Sequence, residues 1–150
     1  MKKIIAIDIG NSETNVGVGN STKWESYRYT TRKTITSDEL LMMFKTTIDL
    51  SKLNDKAVDG VIVCSVVPQI TDSVVSAISE FTTKDVLVVG PGIKTGLKVN
   101  IDNPKELGPD RIANSVGGFK KINKEVVIVD LGTATTFDVV NSNKEYIGGS

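Results

Sequence analysis

"VVIVDLGTATTFDVV", residues 126–140, decides how this chain is read. An apolar run delivers one carboxylate, Asp130, close to its tip. Gly132 and a set of small polar residues follow, and a second apolar run begins. Short apolar runs bounded by turn residues read as buried strands, so the segment is expected to form a strand, a tight turn and a second strand. A glycine just past a central strand lets the backbone turn sharply and approach a ligand closely. Hydroxyl and amide donors around it, here from Thr133 and Thr135, can then cradle phosphate oxygens. Asp130 would repel a phosphate, so it suits a cation or its water shell placed between carboxylate and phosphate.

The same plan occurs near the N-terminus. "IIAIDIGNSETNVGVG", residues 4–19, again has an apolar run, an aspartate (Asp8), one apolar residue, a glycine, small polar residues and a second strand. One Asp-x-Gly turn is explained by ordinary turn preference. Two copies, each between buried strands, point to a duplicated architecture with one copy per lobe. Two such turns facing each other would grip a polyphosphate and its metal.

Between the copies, "KWESYRYTT" alternates like an outer strand. "TSDELLMMFKTTIDLSKL" has helix-start chemistry, with Thr36 or Ser37 as cap, Asp38 and Glu39 in the first turn, and Leu40, Leu41, Phe44 and Ile48 as the apolar face. "VDGVIVCSVVP", "QITDSVVSAISEF" and "DVLVVGPG" read as strand, helix, strand, the order of a parallel crossover. "IKTGLKVNIDNPKELGPD" is loop-rich, "DRIANSVGGFKKI" reads as a helix, and "KEYIGG" opens a third strand after the second hairpin.

Composition removes several function classes. The 150 residues carry 18 Lys plus Arg against 18 Asp plus Glu, so the basic excess of a nucleic-acid binder is missing. There is no histidine, which excludes Ser-His and Cys-His nucleophile systems and histidine metal sites. The one cysteine, Cys64, lies within "VIVCSVV" and reads as a core residue, not part of a disulfide scaffold. No apolar run reaches membrane-spanning length, and "MKKIIAIDIGNSET" lacks the cleavage site of a signal peptide, so a cytoplasmic protein is expected.

A third constellation is "NPKELGPDRIAN", residues 103–114. Asp110 can accept a proton from a hydroxyl nucleophile. Arg111 can bind a carboxylate or a phosphate oxygen in a fork. The local alternative is that Asp110 only caps the helix that begins there.

Taken together, "DIGNSETNVGVG", "VCSVVP", "GPGIKTGL", "NPKELGPDRIANSVGG" and "DLGTATTFDVVNSNKEYIGG" resemble the type III pantothenate kinases in composition and order. The resemblance implies an α/β fold of the ribonuclease H-like, actin-like ATPase type, with a mixed sheet flanked by helices. Residues 1–118 would form the first lobe and residues 119–150 the opening strands of an incomplete second one. Family members are longer, so the resemblance implies an N-terminal fragment with little activity of its own, exposing strand edges and apolar surface. It also implies roles. Asp8, Ile9, Gly10, Asn11, Ser12, Glu13, Thr14 and Asn15, with Thr133, would contact ATP. Gly108, Pro109, Asp110 and Arg111 would line the pantothenate pocket, with Asp110 as general base. Asp130 would hold a monovalent cation, K+ or NH4+, beside the Mg2+ that accompanies ATP. The implied reaction converts pantothenate to 4′-phosphopantothenate, at the start of coenzyme A synthesis, in a homodimer without nucleic-acid or membrane partners. The alternatives are a non-catalytic paralogue acting as a transcriptional accessory factor, or another actin-like sugar kinase or ATPase. The three acids Asp8, Asp110 and Asp130 speak against the first, and "NPKELGPDR" against the second. Three positions depart from common family members: Ser12 replaces a threonine, Glu13 adds a charge to the phosphate loop, and Ile101 replaces an aromatic residue.

Overall fold

The computed structural model describes residues 2–51 and 58–150. Lys52 and Leu53, at the end of the expected first helix segment, lie outside the described residues. The chain divides into two compact units, residues 1–88 and 89–150. This division falls upstream of the 118/119 lobe boundary read from the sequence, because the helix that starts at Pro109 packs on strands of the second unit.

The first unit is a five-stranded mixed sheet with two helices. Its strands are β1 (Ile4–Ile9), β2 (Glu13–Gly19), β3 (Trp24–Thr30), β4 (Gly60–Ser65) and β5 (Val86–Val88), in the spatial order β3-β2-β1-β4-β5. β1, β4 and β5 run parallel, while β1-β2-β3 form an antiparallel meander. Helices α1 (Ser37–Leu50) and α2 (Pro68–Ser79) make the crossovers and pack on each other. Period-two alternation explains the core: Ile5, Ile7 and Ile9 of β1 pair with Val18, Val16 and Thr14 of β2, and all six are buried. Asp8 points to the opposite face and is exposed.

α1 starts where the sequence placed it. Thr36 is the N-cap: its hydroxyl accepts from the Glu39 N–H, and the Glu39 carboxylate accepts from the Thr36 N–H, a complete capping box. The helix buries Leu40, Phe44 and Thr47. Thr47 fits because its hydroxyl donates to the Met43 carbonyl and meets the Tyr29 hydroxyl, leaving only its methyl to the core. α2 buries Ile70, Val74, Ala77 and Ile78. Cys64 of β4 is a core position at 7% exposure.

The second unit is a four-stranded sheet under one helix. Its strands are β6 (Lys98–Val99), β7 (Val126–Leu131), β8 (Thr135–Val140) and β9 (Glu145–Gly149), in the order β6-β9-β8-β7. β7-β8-β9 form an antiparallel meander like β1-β2-β3, as the sequence repeat implies. The short β6 joins β9 in parallel within the segment read as loop-rich. Helix α3 (Pro109–Ile122) packs on β7 and β8. The face turned away from α3 is apolar and exposed at Val127, Val129, Leu131 and Phe137, and β7 is a sheet edge. The fold class read from the sequence, mixed sheets flanked by helices, is the one observed.

Candidate active site

The two Asp-x-Gly segments each form the turn of a β-hairpin, with four loop residues in the first and three in the second. In the first, Asp8 pairs with Asn15 and Ile9 with Thr14, and the Gly10 N–H closes the turn on the Glu13 carbonyl at 2.9 Å. In the second, Asp130 pairs with Thr136 and Leu131 with Thr135, and the Gly132 N–H bonds the Ala134 carbonyl at 3.1 Å. The first turn is braced by the strand beyond it: the Thr31 N–H donates to the Ser12 carbonyl at 2.9 Å, and the Thr14 and Thr31 hydroxyls lie 2.8 Å apart. Asn11, Ser12 and Glu13 are exposed at the turn, as Thr133 is at the other. Glu13, the added charge, meets a cation: its carboxylate lies 3.6 Å from Arg28 Nε on β3, both side chains being exposed.

The acids of the two turns differ in surroundings. Asp8 stands on the open face of its sheet. Asp130 lies on the α3 face, where its Oδ2 accepts a hydrogen bond from Asn114 Nδ2 at 2.8 Å. Asn114 is four residues beyond Asp110 on α3, so the two side chains are neighbours along one helix face.

Asp110 sits in the first turn of α3, where a negative charge suits the helix dipole. It is not the cap. The N-cap is Gly108, with no side-chain cap bond, and Pro109 opens the helix. The Asp110 carboxylate folds back against Gly108, close enough that a β-carbon there would approach its Oδ1 to 2.5 Å.

Arg111 is anchored. Its Nε donates to Asp138 Oδ1 at 2.7 Å, and its Nη2 donates to the Phe137 carbonyl at 2.8 Å. The Tyr146 hydroxyl donates to the same Asp138 oxygen at 2.9 Å. Asp138 is fully buried, and its Oδ2 has no partner among the described residues. Burial, reinforced by the hydrogen bond and charge of Asp138, pushes the Tyr146 phenol up to about 12.

A bulge makes this cluster possible. Asp138 pairs with Gly149 and Val139 with Gly148, but Val140 pairs with Tyr146, so Ile147 is an extra residue in β9. Without it, strand alternation would turn Tyr146 away from the face that Asp138 occupies. Gly148 carries the distortion at φ +147°, where side chains are strained. Gly149 supplies space: a β-carbon there would collide with Arg111 Nη2 and the Phe137 carbonyl.

Of the residues singled out in the sequence, Asp110, Arg111 and Asp130 are therefore brought onto or beneath one helix. Asn114, Asp138, Tyr146 and Gly149 complete the arrangement. The sequence signal for Asp138 was its place in "TTFDVV", an acid inside an apolar strand with no visible turn to justify it.

The donor set fits a hard cation only in part. No group of three or more His, Cys, Asp or Glu side chains able to enclose a metal occurs among the described residues. Asp130 offers Oδ1 beside the Gly132 turn, its Oδ2 being taken by Asn114. One carboxylate completed by phosphate oxygens and water is the usual environment of Mg2+ in phosphoryl-transfer sites.

Comparison with solved structures gives the class first: an actin-like ATPase fold. YeaZ from Pseudomonas aeruginosa superimposes with a TM-score of 0.53 at 13% identity, over 100% of this chain and 67% of that one, a likeness of fold alone. The family follows from sequence: residues 4–150 match the model of the type III pantothenate kinases. The chain is 42% identical over 148 residues to the type III pantothenate kinase of Pelobacter propionicus, and 40% identical over 148 residues to that of Citrifermentans bemidjiense. This chain belongs to the type III pantothenate kinase family. The matches cover 98% of it and 58% of each relative, so it spans little more than half their length.

Proposed function

We propose that the protein carrying this chain transfers the γ-phosphoryl group of ATP to the hydroxyl of pantothenate, giving 4′-phosphopantothenate. The observation that carries this reading is the pair at the start of α3: Asp110, with no hydrogen bond or ion pair among the described residues, beside Arg111, held by a buried acid. A carboxylate without a partner is available to take the hydroxyl proton as the phosphoryl group transfers. Arg111 Nη1 has no partner among the described residues, and Arg111 binds the carboxylate of pantothenate. Gly108 and Pro109 shape the same pocket.

Residues 8–15 and Thr133 contact the nucleotide phosphates through backbone N–H groups and hydroxyls. Asp130, oriented by Asn114, holds a cation; K+ or NH4+ there, with Mg2+ on the nucleotide, neutralises phosphate charge during transfer. Family membership supports this reading, and with it a cytoplasmic homodimer engaged in coenzyme A synthesis.

The test is a phosphoryl-transfer assay on the protein at its natural length, with and without K+, beside Asp110→Asn. Loss of nearly all turnover with pantothenate binding retained supports the assignment. Retention of most of the rate removes Asp110 as the base.

A further inference from the structure

The buried acid behind Arg111 carries a role of its own. Asp138 is fully buried, and among the described residues Arg111 is the only cation paired with it. Removing a carboxylate from water is costly unless its partners are fixed. Here Oδ1 has two fixed partners, while Oδ2 has none among the described residues. Arg111 Nε and the Tyr146 hydroxyl converge on Oδ1 at 2.7 and 2.9 Å, while the Phe137 carbonyl takes Arg111 Nη2 at 2.8 Å. The main chain serves the same cluster: the Ile147 bulge turns Tyr146 onto the Asp138 face, and Gly149 vacates the volume that Arg111 fills. Three features of β8 and β9 thus converge on one guanidinium.

The consequence is an oriented fork. Arginine has five N–H donors in a rigid plane. Nε and one Nη2 hydrogen are committed to the protein, and among the described residues both Nη1 hydrogens and the second Nη2 hydrogen have no partner. One Nη1 hydrogen and the second Nη2 hydrogen lie along the end edge of the plane, which suits a carboxylate bidentately. We infer that Asp138, fixed by Tyr146, is the positioning residue that presents this edge of Arg111 to the substrate carboxylate, and so sets the preference for an acid over its uncharged analogue. Asp138 does not touch the substrate; it acts by removing the rotational freedom of Arg111 before binding. The inference rests on the proposed contact between Arg111 and the pantothenate carboxylate.

The experiment compares kcat/KM for pantothenate with kcat/KM for the analogue in which the carboxylate is replaced by a primary alcohol, using the protein at its natural length. Arg111→Ala tests the underlying reading, and its loss of acid-over-alcohol preference is required. If that preference survives Arg111→Ala, the contact itself is wrong. With the contact established, Asp138→Asn is expected to cut the preference about tenfold or more, through KM for the acid rather than through kcat, while kcat/KM for the alcohol changes little. Tyr146→Phe, which keeps the ring and removes only the hydroxyl, is expected to cut it about threefold, and it supplies the answer where Asp138→Asn does not fold. A preference that depends on Arg111 yet persists unchanged in folded Asp138→Asn or Tyr146→Phe overturns the inference. A parallel fall for acid and alcohol also overturns it, since that is what a purely structural role produces.

Discussion

Asn114 Nδ2 donates to Asp130 Oδ2 at 2.8 Å, so the helix that carries Asp110 also orients the acid at the end of β7. Asn114→Ala should release that carboxylate without emptying a core position, because Asn114 is only half-buried. A hydrogen bond to a charged group contributes about 1.5–3 kcal/mol, so the concentration of K+ needed for half-maximal rate is expected to rise roughly tenfold or more. Titrating activity against K+ in wild type and variant checks this. An unchanged midpoint would separate Asp130 from cation binding.

Asp110→Asn is nearly isosteric and removes the basic oxygen. General-base assistance is typically worth about a hundredfold to ten-thousandfold, so kcat is expected to fall by at least about a hundredfold. Calorimetric affinity for pantothenate should stay within a few-fold, since Gly108, Pro109 and Arg111 remain. A comparable loss of affinity would instead assign Asp110 to binding.

Glu13 brings a negative charge to a turn proposed to hold phosphates, and Arg28 offsets it from the neighbouring strand. Arg28→Ala should raise KM for ATP by a few-fold, and Glu13→Gln should lower it. Both side chains are exposed, so both effects should shrink as salt is added. Measuring KM for ATP at low and high ionic strength in the two variants decides it; equal KM values at low salt would detach this pair from the nucleotide.

Tyr146 gives the fold a dependence on alkaline pH. Its phenol titrates near 12 when folded, against 10.0 as the ordinary value, so folding favours the protonated form. Below pH 10 this contribution is complete. Between 10 and 12 the unfolded chain gives up the proton first, and stability declines as pH rises. Denaturant unfolding at about pH 9 and about pH 11 should show this decline in wild type and a smaller one in Tyr146→Phe.

Alternation, helix caps and glycine turns were legible because each depends on a few adjacent residues. The hairpins around Asp8 and Asp130, the parallel crossover through α2 and a helix cap at Thr36 or Ser37 all follow from such local rules; the structure places the cap at Thr36. Thr47 was hidden because a threonine reads as polar until its hydroxyl finds Met43 and Tyr29. The cluster of Asp138 and Tyr146 was hidden because one extra residue, Ile147, reverses the face of everything on one side of it. β6 was missed because a two-residue strand has no period to detect; its pairing depends on β9, far along the chain. The cap reading of Asp110 failed for a geometric reason: Gly108 occupies the cap, and Asp110 is already inside the helix.

Cys64, closed off in the middle of β4, has a practical use. A maleimide dye or nitroxide offered to the folded protein will react slowly there, so the native thiol can stay in place. A cysteine introduced at an exposed position such as Asn143 would then take the label selectively, giving a spectroscopic reporter on the second unit without first engineering the interior of the first.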